Sequence, residues 1–504
     1  MILSQAIAAA ARRYADRTCL VDGERRFSFA EFNAQVDAVA TWLARRYRTG
    51  TRVALLMCNR AEYLMLQLAI ERASLIRVPV NARSPEREVR HMLTDSAAAL
   101  LIHDATTEAI GLAALAGLGI ERQNIDSAER GWASLLADPV DGTLLHLAAP
   151  DDIASLNYTS GSSGPPKGVM LTHRNWLNTA RNMLVDRDIR SDDRLAHIGP
   201  LTHASGSYFV PWFLRGACSY LVASQADALI EAIARERITV FTCVPTMLTR
   251  LVADDAIDRH DLSSLRAIGY GAEPIPQNTL QKAIARFGPI LTQNYGQTEA
   301  YMTITLLSPE DHFDADGALR IGCIGRPYTF VEVVLRGPDG TPVPAGETGE
   351  ITVRSEHVMA GYWNRPEATA IALRDGWLWT GDLATADADG RLTLVGRSKE
   401  MLISGGFNIY PQEVEAVLTA HEDIVEAAVL GVPDSAWGEV AVAFLTAANG
   451  RAIDSDAVSQ YCKPLLGFRT PKRFVLVEEL PKSSSGKIDK QSLRRDYLAG
   501  AEHV

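Results

Sequence analysis

From residue 30 to about residue 300 the chain alternates short apolar, β-rich runs with stretches of helical period. "TRVALLM", "LIRVPVN", "ALLIH", "ITVFTCVP" and "ILTQNYG" are such runs. Strands separated in this way by helices predict parallel sheets with helices on their faces, an α/β fold. Between 320 and 396 the texture changes. "VEVVLRGPDGTPV", "GEITVRS" and "GRLTLVGR" are strands punctuated by Gly, Pro and Asp turns, which predicts a small β-rich subdomain. "QEVEAVLTAH" then reads as a helix entered through Pro411. "EAAVLGV", "VAVAFLT" and "RFVLVEEL" follow as strands of a small α+β domain. The main boundary is placed at Lys399, giving a large domain over 1–398 (its β-rich part at about 320–396) and a smaller one over 399–504.

The 504 residues are enough for about three compact units. With 47% hydrophobic and 22% charged residues this is an ordinary globular composition, and a formal net charge of -11 leaves no broad basic surface for nucleic acid or anionic lipid. Phosphate-bearing ligands must be met by local features. Cys19, Cys58, Cys218, Cys243, Cys323 and Cys462 are scattered, with no CxxC or metal spacing, and read as buried, reduced thiols of a cytoplasmic protein. In "MILSQAIAAAARRYADR" the arginines follow the apolar run instead of preceding it, so an amphipathic first helix is expected and not a signal peptide. No apolar run of about 18 residues predicts a membrane span, and "AEHV" is not a peroxisomal address.

Lysine usage is uneven. Of 50 basic residues only eight are lysine: Lys167, Lys282, Lys399, Lys463, Lys472, Lys482, Lys487 and Lys490. Three of them crowd into "LPKSSSGKIDK", residues 480–490. An exposed basic tail would explain this. So would sites that need a compact ammonium on a flexible stem in place of arginine's planar fork. The stretch "YTSGSSGPPKGVMLTH", 158–173, bears on the choice. Thr159, Ser160, Gly161, Ser162, Ser163, Gly164 and Lys167 supply hydroxyls, close backbone approach and a charge, which suits phosphate oxygens. It is not a Walker A loop, and neither is "SSSGKI", where Pro481 stands in the place of the first Gly and Ile488 replaces Ser/Thr.

The 158–173 loop resembles the TSGTTGxPKG signature of the adenylate-forming superfamily, with Ser162 and Ser163 in place of two threonines. Five further stretches resemble that family's motifs in its order. They are "GYGAEP" (269–274), "NYGQTEA" (294–300), "WTGDLA" (379–384), "GRSKEMLISGGFNIYPQEVE" (396–415) and "LPKSSSGKIDK". The resemblance covers nearly the whole chain. It implies a large domain of two helix-covered mixed sheets and a mobile C-terminal domain.

It also implies a reaction: a carboxylate attacks the α-phosphorus of ATP, releases pyrophosphate and leaves an acyl-adenylate. Such catalysis is electrostatic and positional. Glu299 matches the Mg²⁺ ligand. Thr298 matches an α-phosphate contact, and Tyr295, between Asn294 and Gly296, a face for adenine. Gly271, Ala272 and Glu273 match the adenine-side loop, and Asp382 and Arg397 the ribose contacts. Lys487 matches the catalytic lysine that swings in from the C-terminal domain, and Lys399 the hinge about which that domain turns. Lys482 and Lys490 are read as solvent-facing.

Four features of the resemblance favour coenzyme A as the acceptor. His203, with Ser205 and Gly206, sits at the expected acyl gate, and no carboxylate follows in "HASGSYFVPWF" to pair an amino acid's ammonium. Gly405 and Gly406 suit passage of a pantetheine arm. Phe468, Arg469, Lys472 and Arg473 gather where the family meets the CoA nucleotide, although Thr470 fills a slot that is basic in some relatives. Trp437 reads equally as a CoA-side aromatic or as core. A stand-alone ligase loading a carrier protein, or a longer-chain fatty acyl ligase, would share every ATP motif. The acyl pocket is expected within 201–213, 269–273 and 293–302, which hold no Arg or Lys, so a monocarboxylic acid is expected. Tyr270 is expected to shorten the pocket, favouring aryl or short-to-medium-chain acids. "PKSSSGK" matches the P-x4-G-K pattern of acetylated relatives, which makes a protein acetyltransferase and deacylase acting on Lys487 expected partners. A monomer or homodimer is expected.

Overall fold

The computed structural model describes residues 1–159, 165–404, 407–434, 437–447, 453–482 and 488–501. Among these residues the strands form a 7-stranded, a 14-stranded and a 5-stranded sheet. The 7-stranded sheet has a parallel centre, with Arg52–Met57 between Ile76–Asn81 and Leu100–His103. At one edge it ends in a hairpin: Ile153–Thr159 runs antiparallel to Lys167–Thr172, which in turn pairs Gly361–Tyr362. The fully buried Val, Ile and Leu of the central strands are what a sheet covered on both faces requires.

The large sheet joins two textures. Its parallel half places Val240–Cys243, Ala267–Gly271 and Leu291–Tyr295 side by side. Thr305–Leu307 then turns the sheet antiparallel, and Cys323–Pro327, Leu392–Arg397, Trp377–Ala386, Gly349–Arg354 and Glu332–Arg336 follow in order. The β-rich region is thus hydrogen-bonded onto the parallel sheet and does not form a separate unit. This continuity carries Asp382 and Arg397, cross-strand partners, on the same sheet as Tyr295.

Helix boundaries follow local chemistry. Phe29–Arg46 starts at a reciprocal Ser28–Glu31 capping box and buries Phe29, Phe32, Val36, Val39 and Leu43, one apolar face. The N-terminal helix, Leu3–Arg13, likewise buries Leu3, Ile7, Ala8, Ala10 and Ala11, as its amphipathic pattern predicts. His173–Asp186 is capped by Thr172 and Asn175, and at Arg187 the backbone leaves the helix at ψ 142°. In Ala204–Arg215 the entry is fixed by Gly206, where a Cβ would lie 2.0 Å from the Leu201 carbonyl oxygen. Gly216 closes that helix at φ +84°, a left-handed turn that glycine adopts without strain.

The third sheet belongs to the smaller, C-terminal part. Ile424–Asp434 pairs along its length with Gly438–Ala447, flanked by Leu402–Ser404 and Arg473–Leu476. Its core, with Val414, Leu418, Val429, Leu445 and Cys462, is distinct from the cores beneath the other sheets. No described helix is long and apolar enough to cross a membrane.

Candidate active site

Asp382 is 5% exposed and gathers three donors. Its Oδ2 accepts from the Tyr295 hydroxyl at 2.6 Å and from Gln297 Nε2 at 2.7 Å, and its Oδ1 accepts from Arg397 Nε at 3.0 Å. Gln297 Nε2 also donates to the Thr380 carbonyl, which ties the "YGQT" turn to the "TGD" strand. Burial, and then the facing Asp382, pushes the Tyr295 hydroxyl well above its ordinary range, so Tyr295 stays a donor. The Asp382 charge holds Arg397 firmly protonated. A ribose diol offered to this carboxylate meets an acceptor with capacity left on Oδ1. On Oδ2 it competes with Tyr295 and Gln297.

A second cluster stands on the hairpin. Glu299 Oε1 accepts from the Tyr362 hydroxyl at 2.7 Å, and Lys167 Nζ lies 4.1 Å from the centre of the Tyr362 ring. The Met359 amide donates to the Glu299 carbonyl at 2.8 Å, so the backbone of the acidic turn is zipped to the same segment. Tyr362 therefore joins the lysine of the phosphate loop to the carboxylate of the "QTEA" turn. Sequence reasoning missed Tyr362, whose signal was the aromatic pair in "AGYWN" ending a β-rich stretch. A lone carboxylate fits Mg²⁺, which takes few protein ligands and prefers phosphate oxygens and water. Among the described residues no cluster of three or more His, Cys, Asp or Glu could hold a metal on its own.

The glycines of these turns are fixed by packing. A Cβ on Gly271 would lie 2.4 Å from the Asn294 carbonyl oxygen, and one on Gly296 would lie within 3 Å of the Met302 backbone. Ala272 follows at φ +71°, a conformation that costs a non-glycine residue about 1 kcal/mol. Thr298 lies in the tight turn closed by the Gln297 amide on the Ala300 carbonyl. Thr159 ends its strand opposite Lys167. Ser160, Gly161, Ser162, Ser163, Gly164, Gly405, Gly406 and Lys487 lie outside the described residues.

Several expectations change. Tyr270 is 3% exposed, and its hydroxyl meets His312 Nε2 at 3.0 Å inside the core of Ile268, Leu280 and Ala283. Strand alternation turns it to the face opposite Gly269 and Gly271, so it does not shorten the pocket. Ser205 faces His197 in the interior and Gly206 is spent on the helix entry, so both are packing residues; His203 caps the helix and is exposed beside Thr202. Glu273 Oε1 accepts from the Thr246 amide at the start of Pro245–Val252. Lys482 pairs Glu426 at 2.8 Å, and Lys490 pairs Glu400 and Glu415 at 2.9 and 2.8 Å, so neither is simply solvent-facing.

On the smaller domain the exposed Phe407 and Phe468 rings meet with centres 4.7 Å apart and planes tilted by 41°, and exposed Trp437 carries Lys472 Nζ 5.0 Å over its ring. Trp437 is therefore not core. Thr470 is buried, and its hydroxyl donates to the Gly467 carbonyl, so it braces the turn that presents Phe468. Lys399 lies exposed in a turn closed by the Glu400 and Met401 amides on the Arg397 carbonyl.

The acyl expectation omitted one cation. Arg187, 9% exposed, turns inward from the end of its helix. Nη1 donates to Asn294 Oδ1 at 3.1 Å and Nη2 to Thr292 Oγ1 at 3.2 Å. The 269–273 and 293–302 segments themselves hold no Arg or Lys, yet Arg187 reaches Asn294 from outside them. Arg187 lies far from them in sequence, and only the helix end brings it there.

Comparison with known proteins gives consistent findings. Residues 7–363 match the AMP-binding enzyme family and residues 413–487 the AMP-binding enzyme C-terminal domain. The chain is 39% identical over 495 residues to a feruloyl-CoA synthase of Amycolatopsis sp, covering 97% of each. It is 32% identical to a medium/long-chain-fatty-acid–CoA ligase of Mycobacterium tuberculosis, covering 98% of this chain and 89% of that one. It superposes on the amide bond synthetase of Marinactinospora thermotolerans with a TM-score of 0.90 at 30% identity, covering 98% and 100%.

Proposed function

The chain belongs to the AMP-binding enzyme family, and from that premise we propose that it is an ATP-dependent carboxylic acid:CoA ligase acting on aryl or short-to-medium-chain acids through an acyl-adenylate. The observation that supports this reading is the convergence of separate segments on two carboxylates: Tyr295, Gln297 and Arg397 on Asp382, and Tyr362, with Lys167 over its ring, on Glu299.

Asp382 and Arg397 hold the ribose, and the Tyr295 ring lies against adenine. Ser160–Gly164 and Lys167 receive the phosphates, with Thr298 at the α-phosphate. Mg²⁺ held by Glu299 would supply charge neutralisation at the triphosphate. Tyr362 fixes the Glu299 carboxylate, so that one oxygen is restrained while the other is presented to the cation. Lys487 stabilises charge at the carboxylate and α-phosphate during adenylation.

The domain boundary at Lys399 is the pivot. The 399–504 domain turns after adenylation, withdrawing Lys487 and bringing Gly405–Gly406 to the thiol channel. The exposed Phe407–Phe468 and Trp437–Lys472 pairs give that domain a face suited to an adenine ring and phosphates. The aryl preference is supported by the feruloyl-CoA synthase relative. The six cysteines are all free, which suits a reducing, cytoplasmic setting. Acetylation of Lys487 would remove the charge needed for the first step.

The test is a panel of acids assayed for pyrophosphate release and thioester formation with ATP, Mg²⁺ and CoA. Aryl acids and hexanoate should be consumed in a CoA-dependent way. Turnover of palmitate alone would overturn the acid class. Adenylate passed only to a carrier protein or an amine, with CoA ignored, would overturn the acceptor.

A further inference from the structure

The helix Glu86–Asp95 reaches the hairpin that carries Lys167 through two side chains one turn apart on one face, His91 and Asp95. His91 Nε2 donates to the Pro166 carbonyl at 2.8 Å. A carbonyl only accepts, so that nitrogen carries a proton. Proline rings fix φ at 165 and 166, which leaves ψ of Pro166 as the soft angle before Lys167. The peptide bond is planar, so holding the Pro166 carbonyl also holds the Lys167 amide on the other side of that bond.

Asp95 takes the opposite strand and a third segment. Its side chain is 10% exposed. Oδ2 accepts from the Tyr158 hydroxyl at 2.8 Å, Oδ1 from Arg365 Nη2 at 2.6 Å, and the backbone carbonyl from the Trp363 indole nitrogen at 3.1 Å. Burial, and then the bond to Asp95, pushes the Tyr158 hydroxyl well above its ordinary range, so it remains a donor. Tyr158 pairs with Gly168 across the hairpin, and the Trp363 amide donates to the Gly168 carbonyl at 2.8 Å. A Cβ on Gly168 would lie 3.2 Å from the Tyr158 ring and 3.4 Å from Trp363 Cβ, so the two side chains close over the glycine.

What the helix holds is the backbone next to two working side chains: Pro166 beside Lys167, and Trp363 beside Tyr362. Lys167 Nζ stands over the Tyr362 ring, whose hydroxyl holds Glu299. The spacing of ammonium and carboxylate therefore depends on the register of the two segments. Strand pairing between them is short, Gly361 with Met170 and Tyr362 with Val169, so the side-chain ties beside it carry weight.

We infer that His91 and Asp95 are positioning residues for the triphosphate end of the nucleotide, holding Lys167 and the Tyr362–Glu299 pair at the spacing that the phosphates and their Mg²⁺ require. This rests on the nucleotide reading above, in which Lys167 and Glu299 serve the phosphates, and adds two residues that act through them.

The experiment measures binding of MgATP and of AMP to the full chain by titration calorimetry, in the wild type, Lys167→Ala, His91→Phe, His91→Gln and Asp95→Asn. AMP lacks the β- and γ-phosphates, so the ratio of its Kd to that of MgATP isolates their end of the site. The fraction of folded protein enters the stoichiometry and not Kd. Phe keeps a ring beside Tyr158 and removes the donor. Gln keeps a donor at similar reach. Asn offers Tyr158 and Arg365 one acceptor oxygen in place of two. Lys167→Ala should weaken MgATP by at least about tenfold. His91→Phe should weaken it by about three- to tenfold and Asp95→Asn by about tenfold, each leaving AMP within about twofold of the wild type. His91→Gln should keep both ligands within about twofold. Equal weakening of MgATP and AMP in His91→Phe and Asp95→Asn is what a merely structural role gives. That result, no change in either variant, or a His91→Gln as weak as His91→Phe would each overturn the assignment and leave the nucleotide reading standing. If Lys167→Ala does not separate the two ligands, the nucleotide reading fails and the assignment goes with it.

Discussion

Two buried charges, Asp382 and Arg187, are neutralised in opposite ways. Asp382 has collected a cation, a phenol and an amide, so its charge is balanced before any ligand arrives. Arg187 has collected an amide oxygen, a hydroxyl oxygen and two ring faces, so its charge is solvated but not balanced. On the proposed reading a nucleotide must displace or share existing bonds at Asp382, so its binding should reorganise Tyr295 and Gln297.

The largest test of the nucleotide side of this contrast is to remove the group proposed to act at the α-phosphate. Lys487→Ala should lower acyl-adenylate formation by at least about 100-fold while thioester formation from supplied adenylate survives. Lys399→Pro, which fixes φ at the pivot, should release pyrophosphate and trap the adenylate. Rapid-quench measurement of each half-reaction decides it, and parallel loss of both steps in both variants would break the alternation reading.

Next in size is Asp382→Asn. It keeps the shape, removes the charge and leaves Arg397 unbalanced, so KM for ATP should rise about 10- to 100-fold, the range of a charged hydrogen bond. KM for the acid should change little. The assignment of Asp382 to the nucleotide is wrong if the acid's KM moves as far as that of ATP. Tyr362→Phe should have a smaller effect. Removing the hydroxyl that restrains Glu299 should lower kcat about three- to tenfold and raise the Mg²⁺ concentration for half-maximal rate, read from a Mg²⁺ titration.

How far each cluster could be read from sequence follows from how its contacts are spaced. Tyr295, Gln297 and Glu299 are alternate residues at a strand end and the turn after it, and Asp382 and Arg397 are cross-strand partners of one hairpin. Contacts that local geometry fixes leave contiguous motifs, and these were legible. Arg187, Thr292, Asn294, Tyr208 and Tyr328 meet only because a helix end, a helix face, one strand and the residue after another strand converge, and no local pattern encodes that. Tyr270 illustrates the reverse error. Its place beside a motif glycine suggested the pocket, but strand alternation sends neighbours to opposite faces. The β-rich stretch at 320–396 was read correctly as strands. Its fusion with the parallel sheet depends on the three-residue strand Thr305–Leu307, too short to carry a signal.

A separate effect, on stability and not on turnover, is expected at His197. His197 is buried between the Ser205 carbonyl and the Ser219 hydroxyl, and burial lowers its pKa to about 4. An unfolded chain takes up this proton near pH 6.5, before the folded chain does. Its contribution to stability is therefore complete above about pH 6.5 and is lost as pH falls toward 4, by up to about 3 kcal/mol. Urea unfolding at pH 7 and pH 5 should show the loss, and His197→Gln should reduce its slope. A slope unaffected by the substitution would assign the acid sensitivity to other groups.

The pairing of Gly361–Tyr362 with the strand that begins at Lys167 has a consequence for biosynthesis. Lys167 leaves the ribosome long before Tyr362 does. Until that second segment emerges, the hairpin lacks its outer neighbour, and the Glu299 turn lacks the Met359 amide that zips it in place. The nascent chain thus carries an open strand edge through much of its synthesis, the kind of edge that invites mispairing. A ligand of the Glu299–Tyr362 cluster cannot assist folding in that interval, because the cluster is completed only when the 361–362 segment has been translated.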